Sequence, residues 1–223
     1  MKKILLSILF LSANVFGQNS HKMGFQESTP YISDYPEGIY LTKEDFIKKT
    51  PSPTTKVYPV SLYGREELPK IMKVHNCYFF DRSNSKKIKN AFAISFEGGL
   101  YFQIKAILKN RNKEDKAQSS NQANSFVRTI MGGENYLYTE AELENKWAAG
   151  AAANLGAAGG TIYPELINGK GIVWDFKNTE FNIFKSCKDY NEFIGDKLLT
   201  AVQNCEEHQP DMLEVREAIS EIK

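Results

Sequence analysis

Absences set the first limits on this chain. No apolar run approaches the length of about 20 residues that crosses a bilayer as a helix; the longest, Ile4 to Leu11, is far shorter. There is no surplus of one charge: 28 Lys and Arg stand against 27 Asp and Glu, so the sequence offers neither a basic stripe nor an electrostatic case for nucleic acid. Nucleotide signatures are missing as well. Gly169-Lys170 is followed by Gly171 and not by Ser or Thr, Pro164 stands where a phosphate loop would begin, and no Gly-x-Gly-x-x-Gly occurs. Nor is there a Gly-x-Ser-x-Gly, a His-Glu-x-x-His or a calcium loop, and no repeat of domain-building length is found. No set of residues amounts to a catalytic signature, and no cofactor is called for.

What is present begins with an address. Lys2 and Lys3 precede the apolar run Ile4 to Leu11, and Val15-Phe16-Gly17 closes on a small residue, the order of a cleavable secretory signal. None of the three cysteines, Cys77, Cys187 and Cys205, lies near Gly17, so the lipid acceptor of a bacterial lipoprotein is lacking. Cleavage leaves roughly 200 residues, enough for one large or two small domains. With 42% hydrophobic residues the remainder can bury a core. The expected organisation is a signal over residues 1–17, a loose polar leader over 18–37 and a single domain over 38–223.

Periodicity then gives the elements. Gly38-Ile39-Tyr40-Leu41 reads as a short strand running into a helix that Thr42 caps, with Asp45 near its positive end and Phe46 and Ile47 facing inward. Tyr78-Phe79-Phe80 ends a strand before the turn 81–85. Phe92, Ile94 and Phe96 alternate on another strand, and Gly98-Gly99 turns it into a partner carrying Phe102 and Ile104. Asn110 to Asn124 is polar throughout and predicts a solvated loop. Phe126 to Met131 and Tyr136 to Tyr138 form a hairpin around Gly132-Gly133. Thr139-x-x-Glu142 predicts a capping box opening a helix through Leu143 and Trp147. A further hairpin joins Ile172, Trp174 and Phe176 to Phe181 and Ile183 through Lys177-Asn178-Thr179. The end is helical: Tyr190, Phe193, Ile194 and Leu198 share one face, and Asp211 caps a last helix whose stripe is Met212, Val215, Ile219 and Ile222. The sum is an α+β fold, an antiparallel meander packed with helices and closing on a helical C-terminus.

Several residue groups invite a chemical reading. Cys187 and Cys205 could bridge in an oxidising compartment, and three buried free thiols are the alternative. Cys205-x-x-His208 would place a thiol and an imidazole on one helix face; with Cys187 it would supply three zinc ligands, or by itself a nucleophile and base. A disulfide or plain helix surface is the simpler account, and no metal site is assigned. His75 beside Cys77 reads as a strand-end histidine. Glu66-Glu67, and Glu140 with Glu144, meet the glycosidase requirement only in residue type. Eleven tyrosines, fourteen phenylalanines and two tryptophans allow a sugar-stacking face, yet most sit at period-two positions where core packing is the rule. Ala148 to Gly160 holds seven alanines and four glycines. Such small residues suit close helix packing, and also membrane or subunit contact, which the short length and Asn154 disfavour.

The phrase Tyr35-Pro36-Glu37-Gly38-Ile39-Tyr40-Leu41-Thr42-Lys43-Glu44-Asp45-Phe46, after Phe16-Gly17-Gln18, resembles the opening of a group of exported Bacteroidota proteins without an assigned activity. The order of a Leu137-Tyr138 strand, an Ala/Gly-rich stretch, a hairpin and terminal helices opening at Gln209-Pro210-Asp211-Met212-Leu213 is similar too. The resemblance implies an envelope location and brings no catalytic residue with it. The expectation is therefore a periplasmic or outer-membrane-associated protein acting as a non-catalytic binding module toward a protein partner in the envelope. The alternative is a hydrolase acting on an envelope polymer or glycan.

Overall fold

A computed structural model describes residues 31–52, 56–62, 76–116, 118–145 and 168–223. Their frame is an antiparallel sheet that curls around an aromatic core, with two short helices packed into that core and two longer ones on the opposite face. The strands are β1 (Gly38–Tyr40), β2 (Val57–Ser61), β3 (Asn76–Asp81), β4 (Ala93–Phe96), β5 (Gly99–Gln103), β6 (Gln118–Ser119), β7 (Phe126–Gly132), β8 (Tyr136–Asn145), β9 (Asn168–Asp175) and β10 (Glu180–Ile183). The main path runs β1-β4-β5-β7-β8-β9-β10, with β2 on β3, β3 on β7, and β6 on β8. Among the described residues four α-helices accompany it: α1 (Lys43–Ile47), α2 (Ile104–Lys109), α3 (Cys187–Ile194) and α4 (Met212–Ile222). The α+β expectation holds at this level, with the sheet dominant.

Alternation along the strands sorts their side chains into two faces. Leu100 and Phe102 of β5, Val127 of β7, Leu137, Ala141 and Leu143 of β8, Ile172 and Trp174 of β9, and Phe181 and Ile183 of β10 all turn into one core inside the curl. The opposite face is covered in two places. Ile94 and Tyr101 meet Val57, Cys77 and Phe79 of the β2–β3 pair. Tyr138 and Val173 meet Tyr190, Phe193, Ile194, Val215 and Ile219 of α3 and α4. The largest buried side chains are all aromatic, which answers where the abundant rings go.

Local chemistry explains most junctions. Thr42 Oγ1 accepts the Asp45 N–H at 3.1 Å and Asp45 Oδ2 accepts the Thr42 N–H at 3.0 Å, the capping box expected there. The β4–β5 turn falls on Glu97 and Gly98, at φ 48° and 74°, one residue before the expected pair. Asp175 closes the β9–β10 turn by accepting the N–H groups of Lys177 at 2.8 Å and Asn178 at 3.1 Å. Asp211 caps α4 by accepting from Leu213 and Glu214, and Val215 and Ile219 of the expected stripe are buried.

The structure corrects several expectations. Ile47, expected to face inward with Phe46, is 45% exposed at the end of α1. Thr139 to Asn145 is not a helix but the continuation of β8, matched residue for residue with β9 from Tyr136↔Asp175 to Leu143↔Asn168. A capping-box spacing is a signal within one turn, and strand pairing with alternating burial of Thr139, Ala141 and Leu143 overrides it. Ile104 begins α2 and does not extend β5; Ile104 and Ile107, three residues apart, are both buried. Asn110 to Asn124 is not a solvated loop throughout: Asp115 and Gln118 are buried, Lys113–Asp115 is a 3-10 turn, and β6 pairs with β8. In addition, the described end of the expected leader is docked, since Tyr35 is buried and stacks on Phe46 with ring centroids 4.5 Å apart. Trp147 and Ala148 to Gly160 lie outside the described residues.

Candidate functional site

Cys187 and Cys205 are joined in a disulfide with Cα atoms 5.6 Å apart. Ser186 caps α3 by accepting the Asp189 N–H at 3.3 Å, which places Cys187 in the first turn, almost wholly buried. The segment after the 3-10 turn Leu199–Ala201 is not helical, which corrects the expected Cys205–His208 helix face. It lies along α3 through reciprocal bonds: Asn191 Nδ2 donates to Gln203 O at 2.8 Å and Gln203 N donates to Asn191 Oδ1 at 2.9 Å. His208 contributes its carbonyl, which accepts the Cys187 N–H at 2.8 Å, while its ring is exposed. With Cys205 bonded to Cys187, the thiol–imidazole reading has no thiol. Among the described residues no three His, Cys, Asp or Glu side chains are placed to hold a metal.

The carboxylate readings also resolve. Glu140 and Glu144 both lie on β8, where four residues of extended chain separate them by about 13 Å, beyond either glycosidase spacing. Glu140 is held by both arms of Arg216, at 2.7 Å each, and accepts the Tyr138 hydroxyl at 2.8 Å. Glu66, Glu67 and His75 lie outside the described residues. Cys77 is free and buried, and burial pushes its thiol pKa well up, which makes it inert.

Three surface depressions remain to be weighed. The first, about 230 Å³, lies between β10, the Lys113–Asp115 turn and α3. Its centre is Lys185, whose Nζ reaches Asp115 Oδ1 at 2.8 Å and Asp189 Oδ1 at 3.1 Å. Asp115 Oδ2 accepts the Ile183 N–H at 3.1 Å. Burial holds Asp115 above its ordinary pKa despite those contacts. Burial works against the Lys185 ammonium, but the two carboxylates outweigh it and leave its pKa raised. With its charges committed to one another, this cluster works as a clamp tying the turn to α3.

The second depression is a groove of about 550 Å³ at the C-terminal end of α1, lined by apolar and charged side chains. Leu137 and Tyr35 form its floor, with Tyr31 and Phe176 in its walls, and Ile32 and Ile47 stand at its rim, 65% and 45% exposed. The Lys49–Asp34 ion pair and Glu134 add charge at the edge. No local spacing announces the groove, because its residues come from four separate stretches of chain. A third depression, at the N-terminal end of α1, is lined by Lys43, Lys105 and Lys109. No helix among the described residues is long and apolar enough to cross a membrane.

No protein-family model matches this chain, and neither a curated protein nor a solved structure matches it.

Proposed function

We propose that this is an exported, envelope-located protein that acts by binding a protein partner and not by catalysis. The groove lined by Tyr31, Ile32, Tyr35, Ile47, Leu137 and Phe176 carries this reading. It is open, mixes apolar side chains with the charges of Asp34, Lys49 and Glu134, and is large enough for two or three side chains of a partner segment. The secretory order of residues 1–17 supports export, and the Cys187–Cys205 bridge is compatible with an oxidising compartment. The test is capture of the tagged protein from its native envelope beside the variant I32E/I47E, with mass spectrometry of what accompanies each. Both substituted residues are exposed, so the variant should keep its thermal stability. A partner recovered at matching abundance with the parent protein and lost with the variant is the expected result. Recovery of the parent protein alone, or of the same partner with both, overturns the reading.

A further inference from the structure

The third depression has a different chemistry. It is a cleft of about 490 Å³ between Leu41–Glu44, the stretch Asn90–Phe92 and the junction of β5 with α2. That volume lies within the range of small-molecule sites, about 300–1,000 Å³. Its charged residues are Lys43, Lys105 and Lys109 with a single acid, Glu44, so it is locally cationic on a chain that is otherwise balanced. Lys105 and Lys109 are four residues apart on α2 and therefore share one helix face. Lys105 Nζ donates to Asn90 Oδ1 at 3.0 Å, and Lys43 Nζ donates to the Thr179 carbonyl at 3.3 Å; both bonds spend one of three ammonium protons. Leu41, 54% exposed, and Phe92 supply an apolar wall.

Gln103 lines the same cleft and is 1% exposed. Its Oε1 accepts the Ala91 N–H at 3.3 Å, and that bond fixes which end of the amide is which. Its Nε2 is buried and makes no hydrogen bond. A buried donor left unmade costs on the order of 1–3 kcal/mol, so such groups call for an explanation. The Nε2 atom has almost no accessible surface, so a ligand reaches it only if the Gln103 side chain turns toward the cleft; the three ammonium groups around the cleft match an acceptor that is itself anionic.

We propose that this cleft binds a small organic anion, with its carboxylate or phosphate group among Lys43, Lys105 and Lys109 and its apolar part against Leu41 and Phe92. The site is separate from the groove at the C-terminal end of α1, and the proposal stands or falls independently of the protein-partner reading. Charge-assisted bonds from ammonium groups would supply the attraction, and the apolar wall would select against inorganic ions.

Phenyl phosphate and phenylacetate are titrated in turn into the isotope-labelled protein, with benzyl alcohol as the uncharged control, and amide signals are followed by nuclear magnetic resonance. Saturable shifts centred on residues 103–106 are expected with at least one anion. Which anion binds more tightly separates a phosphate from a carboxylate ligand. The variant K105E/K109E, changed only at exposed positions, should keep the remaining spectrum and weaken binding by about tenfold or more, equivalent to about 1.4 kcal/mol. Absence of saturable shifts with both anions overturns the proposal. So do equal shifts with benzyl alcohol, or unchanged affinity in the variant.

Discussion

Phe46 and Lys170 represent opposite uses of burial. Phe46, with no exposure, meets the rings of Tyr35, Tyr40, Phe92, Phe102 and Trp174 at centroid distances from 4.5 to 5.8 Å. A helix of five residues has no stability of its own, so this one side chain anchors α1. Lys170 is 5% exposed on β9, and the strand alternation places it on the face of Ile172 and Trp174. Burial lowers its pKa below the ordinary 10.5, more than the Asp189 charge raises it. An ammonium with a lowered folded pKa is penalised wherever it is charged. Stability therefore rises with pH across the interval between the lowered value and 10.5, where the folded lysine is neutral and the unfolded one is not. Lys170→Met should accordingly stabilise the protein at neutral pH by about 1 kcal/mol. The gain should shrink as pH approaches the ordinary lysine value, and calorimetry over that range checks it; a variant less stable at neutral pH refutes it.

Among the elements, the C-terminal helices owe their placement to a cross-link as well as to packing. The Cys187–Cys205 bridge closes 18 residues of sequence and fastens the Leu199–Ala201 turn and the segment after it to α3. Chain-entropy arguments give such a loop about 3 kcal/mol. C187S/C205S should lose about that much in denaturant unfolding. Alkylation of the denatured but unreduced protein should label Cys77 alone; labelling of all three cysteines contradicts the bridge. The hairpins were legible because Phe92, Ile94, Ile172 and Trp174 obey a period of two and their turns carry Gly98 or an Asx residue. The capping of α1 and α4 was legible for the same local reason. β8 was not, since Thr139 and Glu142 imitate a helix start while the partner that makes them a strand lies some 30 residues on in β9. The groove at the C-terminal end of α1 was illegible because Ile32, Ile47, Leu137 and Phe176 become neighbours only when the sheet curls. The cleft beside α2 was hidden by the expectation that Gln103 and Lys105 belonged to one uninterrupted strand.

At the scale of the molecule, a curled open sheet must dispose of the strands that end its main path, β1 and β10, whose free N–H and C=O groups invite edge-to-edge association. Here short connecting segments cover both. Ser52 N donates to Ile39 O of β1 at 2.8 Å, and β10 is flanked by the stretch after α2. There Phe181 N donates to Asn110 O at 3.0 Å and Asn112 N to Phe181 O at 2.9 Å, and Arg111 forms a parallel bridge with Phe181. These contacts belong to the stretch expected to be solvated loop. Its residues look like loop because they pair through backbone, and their side chains stay polar. Asn112 sits at φ −61° and ψ 159°, a backbone that proline adopts without strain, so Asn112→Pro removes one N–H with little conformational cost. Asn112 also donates from its side chain to Asn182 and accepts from Glu114, and Asn112→Ala removes those bonds while keeping the backbone donor. The proline variant should therefore be less stable than the alanine variant by about 1 kcal/mol, the worth of one backbone bond. Its Phe181 amide should exchange faster, and it should show concentration-dependent association in size-exclusion chromatography as β10 is uncovered. Equal stability and equal elution of the two variants would mean that the strap covers β10 without holding it, and that closure of the sheet rests on Trp174 and Phe181 packing inside the curl.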